Sequence, residues 1–340
     1  MRSARRLKMK RFAINGLGRI GRMVLRHFMD AAPKDLEIVA VNDLVPPENL
    51  AYLIKYDSVH GRARFVVEAE GDLIHLGGLD LKVFAEKDPA QLPWKDLGVD
   101  AVIECTGFFT KRALAAKHLE AGASRVVISA PSHDADFTMI IGVNEHEFDP
   151  EHHQIISNAS CTTNSLVPPL KVLLDNFGIE RAMVTTVHAY TGTQGLVDKP
   201  AKKAIRGRAA AVSLIPTTTG SDVATAMVLP ALKGRLRALA IRVPVPDGAI
   251  TDIVADLNKT VTEEEVNSSL KAAAEGPMRG VLGYTEEELV SADIVGDSHS
   301  GIVHALSTMV VQGRMVKVQV WYDNEYGYSR RLLETMNVVS

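Results

Sequence analysis

Cysteine is nearly missing from this 340-residue chain, which has only Cys105 and Cys161. That scarcity excludes the disulfide-dense frameworks of small secreted domains and suits a reducing compartment, so the expected location is cytoplasmic. Aromatic residues are also sparse, at 5%, and the net charge is only −3. Without a basic array or many rings to stack on bases, no obligatory nucleic-acid partner is expected. No apolar run approaches the ~20 residues that cross a bilayer, so no membrane role is expected either. The charge is uneven, however: "MRSARRLKMK" holds five Arg or Lys and no acid. Lacking the apolar stretch of a secretory signal, this start reads as a flexible basic tail over residues 1–9.

What remains is a globular composition, 46% hydrophobic and 23% charged, long enough for two domains. "RFAINGLGRIGRMVLRHF" reads as a short strand, a glycine turn and a helix. Gly16, Gly18 and Gly21 complete G-x-G-x-x-G between strand and helix. The first glycine permits the turn, the second lets a pyrophosphate approach, and the third lets helix pack on strand. A second strand, "EIVAVND", ends at Asp43. An acid there accepts from ribose hydroxyls and repels a 2′-phosphate, which favours NAD over NADP; an acidic cap on the turn that follows is the competing reading. "RFVVEAE" and "LKVFAE" resemble an antiparallel insertion, while "DAVIECTGFF" and "RVVISAPS" resemble buried parallel strands. Their carboxyl ends make Thr106, Gly107 and Ser129 candidates for a cofactor cleft, with Cys105 in the core beneath.

The texture changes after "ISNASCTTNSLVPPL". Cys161 stands among small hydroxyl residues at the start of a helical run, where unpaired N–H groups and the helix dipole favour a thiolate. Pro168 and Pro169 lack ladder donors, so a bend is expected there. "RAMVTTVHAY", "RALAIRVPVP", "ITDIVADL", "SADIVG", "STMVVQG" and "MVKVQVWYDN" read as strands of a mostly antiparallel sheet. "SDVATAMVLPAL" and "TEEEVNSSLKAAAEG" read as helices, the latter with a Thr262–Glu265 capping box. His188, ending one strand, is a candidate general base for Cys161. Thr191, Arg206, Thr219, Gly220 and Arg242 combine guanidinium groups with hydroxyls, a set that suits phosphate.

Together "INGLGRIGR", "KYDSVHGR", "SNASCTTN", "TTVHAYT", "IPTTTG", "RVPVP", "EGPMRGVLGYT" and "WYDNEYGYS" resemble the phosphorylating glyceraldehyde-3-phosphate dehydrogenases from about residue 10 onward. The resemblance implies an α/β chain with a Rossmann-like NAD-binding domain over 10–160 and an α+β catalytic domain over 161–325. A helix over 326–340 then returns to the first domain. It implies that Cys161 is the covalent nucleophile and His188 its base. Thr191 and Arg242 match the site for the substrate's phosphate. Ser160, Thr162, Arg206, Thr219 and Gly220 match the site for attacking inorganic phosphate. Asn324 matches the contact to the nicotinamide carboxamide, and Asn15, Arg19 and Ile20 join the cofactor set. No metal is implied. The implied reaction converts glyceraldehyde 3-phosphate and inorganic phosphate reversibly to 1,3-bisphosphoglycerate, in a homotetramer. Departures include Ser165, where the family often has a second cysteine, Thr193 where Asp is common, and Tyr326 where Trp is usual. An erythrose 4-phosphate dehydrogenase and a nonenzymatic binding role are the alternatives.

Overall fold

The computed structural model describes residues 9–31 and 33–340, and residues 1–8 of the basic tail lie outside them. The chain divides into two compact units. One comprises residues up to Met139 with Glu147–Asn158 and Ser329–Ser340; the other comprises Ile140–His146 and Ala159–Tyr328. Thus the short segment Ile140–His146 leaves the first unit and belongs to the second. Among the described residues no helix is long and apolar enough to cross a membrane.

The first unit is built on a nine-stranded sheet. Its order is Phe137–Thr138, Ile155–Ser157, Arg125–Ile128, Ala101–Glu104, Lys10–Asn15, Leu36–Asn42, Leu79–Phe84, Leu73–Leu76 and Val67–Glu70. The first seven pair in parallel. Strand Lys10–Asn15 sits between Leu36–Asn42 and Ala101–Glu104 because the chain builds outward on one side and then crosses to the other. That reversal opens a crevice at the carboxyl end of Lys10–Asn15. The expected insertion is antiparallel only in part: Val67–Glu70, Leu73–Leu76 and Leu79–Phe84 pair antiparallel in turn, but Leu79–Phe84, which carries "LKVFAE", also pairs in parallel with Leu36–Asn42 and closes the parallel run. Buried parallel strands need apolar residues on both faces, and Ala101–Glu104 is buried throughout.

The second unit is an eight-stranded mixed sheet, mostly antiparallel, covered by helices. Strand Ile179–Ala189 pairs antiparallel with Ala249–Leu257, which pairs antiparallel with Met315–Tyr322. On its other side it pairs in parallel with Leu236–Val243. The helix Cys161–Phe177 buries Leu166, Val167, Leu170 and Leu173 in the same core as Val184, Ile253, Val318 and Val320. Helix Glu263–Glu275 carries the expected capping box from Thr262 to Glu265.

One local expectation is corrected, at "SADIVG". Pro168 and Pro169 interrupt nothing: Cys161–Phe177 runs as one helix through them. Each proline costs about 3 kcal/mol, but four buried aliphatic side chains contribute about 2 kcal/mol each and outweigh the pair. "SADIVG" is no strand: Ser291–Ile294 forms a 3₁₀ turn, with the Asp293 carboxylate accepting from the Val290 N–H at 2.8 Å. An acid that can close a local turn competes with a ladder.

The helix after the glycine turn is fastened by an ion pair between Arg19 and the buried Asp57. Asp57 also accepts from the N–H groups of Val59 and His60, both at 2.9 Å. Burial opposes its ionisation, yet the Arg19 bond and these N–H groups hold its carboxyl at about 2. A depressed carboxylate stabilises the fold above its unfolded value and loses that contribution as pH falls through the folded one. Asp57→Asn is therefore expected to lower stability at pH 7 by about 2 kcal/mol. Its deficit against wild type should vanish as the pH is lowered from about 4 to about 2, as read by thermal melts.

Candidate active site

The glycine turn of the first unit has the shape its sequence pattern requires. Gly16 has φ +95°, and a Cβ there would lie 2.8 Å from the Thr106 N; a Cβ on Gly21 would lie 2.1 Å from the Gly16 carbonyl oxygen. Gly18 is exposed, and a Cβ there would meet nothing within 4 Å. The turn is thus closed underneath and open above, with the first N–H groups of helix Arg19–Ala31 beside the opening. This is the space a pyrophosphate needs, so the residues present fit a dinucleotide. Arg19 and Ile20 occupy the first turn of that helix, both half-buried.

Asp43 faces this turn. One carboxylate oxygen accepts from the Leu17 N–H at 2.7 Å and the other from the Val45 N–H at 3.0 Å. The acid therefore caps the following turn and is fixed against the glycine loop at the same time. Asn15 has a different place from the one expected of a direct cofactor contact. It is buried, its amide donating to Glu104 at 2.5 Å and its oxygen accepting from Asn42 at 2.7 Å. Glu104 also accepts from the Thr106 N–H at 2.8 Å, and its partner His118 accepts from the Trp94 indole at 2.9 Å. Sequence reading missed Glu104, His118 and Trp94, which stand apart along the chain. Thr106 and Gly107 follow that strand, and the Ser129 N–H donates to the Glu104 carbonyl at 3.0 Å. Burial pushes the Cys105 thiol up to about 12, against a hydrogen bond from Ser129.

In the second unit a sharp elbow precedes Cys161. Ala159 has φ +52°, a strained conformation for a residue with a Cβ, and its carbonyl accepts from the Tyr328 hydroxyl at 3.0 Å. Ser160 then caps the helix, accepting from the Thr163 N–H at 3.1 Å. Cys161 is the first helical residue, and its Sγ lies 3.3 Å from the His188 Nε2. Burial pushes this thiol up to about 11, with Arg242 and Thr162 opposing. Burial also drives His188 down to about 3, assisted by the Arg242 charge. Desolvation thus opposes the charged form of both groups, while the Arg242 charge and the Thr162 hydrogen bonds favour the thiolate that the helix start also favours.

Of the anion-binding candidates, Arg242 touches this pair directly. Arg242 is opposite His188 in the parallel ladder, its Nη1 2.8 Å from both the His188 Nδ1 and the Ala189 carbonyl oxygen. Thr191 follows the strand, its hydroxyl 3.1 Å from that of Thr193. Arg206 donates to the Thr217 hydroxyl at 2.8 Å. Thr219 and Gly220 precede helix Ser221–Val228, and Ser221 lies 2.8 Å from the Thr219 hydroxyl and 3.5 Å from that of Ser160. Ser221, which sequence reading passed over, thus links two helix starts. Thr162 shares its hydroxyl with the buried Tyr322 at 2.9 Å, and Tyr322 reaches Thr186 at 2.7 Å. The inward alternation of Val316, Val318 and Val320 was the available signal for Tyr322. Asn324 is buried and its Oδ1 has no hydrogen-bond partner, while its N–H donates to Asp247 at 3.3 Å. An unsatisfied buried acceptor of this kind fits an amide donor such as a carboxamide.

The His188 contact predicts a difference between the two cysteines. Iodoacetamide is expected to alkylate Cys161 at least about tenfold faster than Cys105 near neutral pH, because Cys161 has an imidazole within reach of its proton and a place at a helix start. His188→Asn should remove most of that advantage. Mass mapping after brief labelling measures both; equal labelling in wild type would reject Cys161 as the activated thiol.

Comparison with known proteins identifies the family. The family description "Glyceraldehyde 3-phosphate dehydrogenase, NAD binding domain" matches residues 10–112, and "Glyceraldehyde 3-phosphate dehydrogenase, C-terminal domain" matches residues 160–324. Similar curated proteins include the glyceraldehyde-3-phosphate dehydrogenase of Geobacillus stearothermophilus, 55% identical over 94% of this chain and 95% of the relative. Glyceraldehyde-3-phosphate dehydrogenase 1 of Bacillus subtilis (strain 168) is 54% identical, with the same coverage of each. The Priestia megaterium enzyme is 53% identical over 97% of this chain and 98% of its own length. With both domain descriptions matched and relatives above 50% identical over nearly the whole chain, this chain belongs to the glyceraldehyde-3-phosphate dehydrogenase family.

Proposed function

We propose that the protein oxidises D-glyceraldehyde 3-phosphate with NAD+ and inorganic phosphate to 1,3-bisphosphoglycerate, reversibly, through covalent intermediates on Cys161. The observation that carries this reading is the 3.3 Å approach of Cys161 Sγ to His188 Nε2, with Arg242 on the far side of the imidazole. The Cys161 sulfur adds to the aldehyde carbon as its proton passes to the imidazole, and the carbonyl oxygen is protonated to give a thiohemiacetal. His188 Nε2 then accepts the hydroxyl proton as the C–H electron pair departs. NAD+ supplies the acceptor for that hydride. The resulting thioester is attacked by a phosphate oxygen, the C–S bond breaks, and Cys161 leaves with its electron pair.

The remaining side chains divide the binding work. Arg242 and Thr191 hold the phosphate already on the substrate. Ser160, Thr162, Arg206, Thr219 and Gly220 serve the attacking phosphate. The glycine turn with Arg19 and Ile20 receives the pyrophosphate, and Asp43 receives the adenosine ribose. Thr106, Gly107 and Ser129 line the cleft at the strand ends. Asn15 acts from below, by holding the turn. Asn324 offers its unpaired oxygen to the carboxamide. The working assembly is a homotetramer: Met183 is 73% exposed and Leu239 46% exposed on adjacent strands, apolar surface that a second copy covers. The two free cysteines suit the cytoplasm.

Two experiments test the division. Charge-assisted bonds from an arginine contribute roughly 1.5–3 kcal/mol each. Arg242→Ala should therefore weaken use of glyceraldehyde 3-phosphate by about 10–100-fold in kcat/KM and affect glyceraldehyde much less. Arg206→Ala should mainly change the phosphate dependence of turnover and spare the first hydride-transfer burst. Equal proportional losses in burst and turnover for both variants would reject two separate anion sites. For the cofactor, Asp43→Ala should narrow the preference for NAD+ over NADP+, since the carboxylate repels a 2′-phosphate. A wild-type enzyme more efficient with NADP+ would overturn the role of Asp43.

A further inference from the structure

The second unit carries a cavity of about 700 Å³ that the chemistry at Cys161 does not use. It is walled by the last turns of helix Cys161–Phe177 and by helix Glu263–Glu275, and the segment Ile140–His146 closes one end. Small-molecule sites occupy roughly 300–1,000 Å³, so the size is suitable. Its floor is apolar: Val143, Val172, Ala273 and Met278 are buried there as part of the core. The closing segment is held firmly. The Asn144 side-chain oxygen accepts from the Ile140 N–H at 2.8 Å. Gly142 has φ +81°, and a Cβ there would lie 3.2 Å from the Val281 side chain. Glu145 is thereby fixed in the wall.

Glu145 is short of partners. It is half-buried, and its Oε2 is shielded from solvent with no hydrogen-bond partner among the described residues. Desolvating a carboxylate without supplying a donor is costly. The lysine in the same wall offers no relief, since Lys171 pairs with Asp175 at 2.8 Å. Those two charges cancel and the Glu145 charge is left over. Two neutral donors are engaged as well: the Ser269 hydroxyl donates to the Glu265 carbonyl at 2.9 Å, and the Asn176 amide to the Val172 carbonyl at 2.8 Å. The wall therefore offers acceptors and a negative charge above an apolar floor.

We propose that this cavity is a second ligand site, for a small amphipathic amine whose ammonium pairs with Glu145 and whose apolar body covers Val172 and Met278. An ammonium brings the charge and the donors that the wall lacks, and a hydrocarbon or aromatic body fits the floor. A carboxylic acid of the same shape meets Glu145 with like charge and is rejected. The site is separate from the aldehyde chemistry, because Lys171 lies about 15 Å along the helix from Cys161. It is also separate from the apolar surface of Met183 and Leu239. Val184 packs with the helices in the core, so the exposed Met183 beside it points to the other face of the sheet.

The test uses tryptamine and indole-3-propionate, which share a ring and differ in the sign of their charge. Full-length enzyme with carbon-13 in its methionine methyl groups is titrated with each near neutral pH. The Met278 signal, identified by its loss in Met278→Leu, is followed by NMR. Tryptamine should shift this signal saturably, with a Kd on the order of 1 mM, and leave the Met183 signal in place. Indole-3-propionate should bind at least about tenfold more weakly. Glu145→Gln keeps the side chain's size and removes its charge, so it should weaken tryptamine about tenfold and make the two probes alike. Ala272→Trp, at an exposed helix position in the wall, should block the cavity and abolish the response. A Met278 signal that tryptamine does not move would overturn the site. Equal affinity for both probes in wild type would overturn the choice of an amine. An affinity for tryptamine that survives Glu145→Gln or Ala272→Trp unchanged would overturn the pairing or the place.

Discussion

The catalytic arrangement depends on one ladder: the parallel pairing of Ile179–Ala189 with Leu236–Val243, in which His188 stands opposite Arg242. Successive side chains on a strand alternate between faces, so a slip of one residue would turn either side chain away from the other. The register is enforced over eight paired positions from Ala182–Leu236 to Ala189–Val243 and by burial of Val184 and Ala240. Stability of the sheet and chemistry at its end are therefore one constraint. The Cys161 helix meets this pair because its own apolar face, Leu166 to Leu173, is buried in the same core.

Burial sets the electrostatics of the pair more strongly than the helix terminus does. A thiol at a helix start is favoured as a thiolate, whereas desolvation pushes Cys161 up and His188 down. Arg242 lies beside the ring nitrogen away from the sulfur, so its charge acts on both groups.

The first unit solves a different problem, that of bringing backbone close to a charged ligand. Gly16 and Gly21 remove the Cβ atoms that would collide with Thr106 and with the turn itself. Beneath them the Glu104, Asn15, Asn42 and His118 side chains satisfy one another in a dry interior. Such a network is costly unless complete, and its completeness makes the turn rigid.

The sequence by itself determined the dinucleotide turn, the strand ending at Asp43, the cysteine at a helix start and the general make-up of both units. These follow from local rules: glycine where a Cβ cannot fit, alternation in strands, a Ser cap before Cys161. The motif "SNASCTTN", with the other family landmarks, made the family legible in the chain alone. Tertiary structure alone decided how His188 and Arg242 meet, since strand register is fixed by long-range pairing. It alone placed Tyr322 against Thr162, Ser221 between Ser160 and Thr219, and Asn15 beneath the turn instead of at its surface. It also decided that Pro168 and Pro169 ride inside one continuous helix and that Ser291–Ile294 closes a turn, because packing and a carboxylate's local bond outweigh intrinsic preference. Protonation was the least legible of all, since it depends on how much water the fold removes from around Cys161 and His188, and no local pattern encodes that.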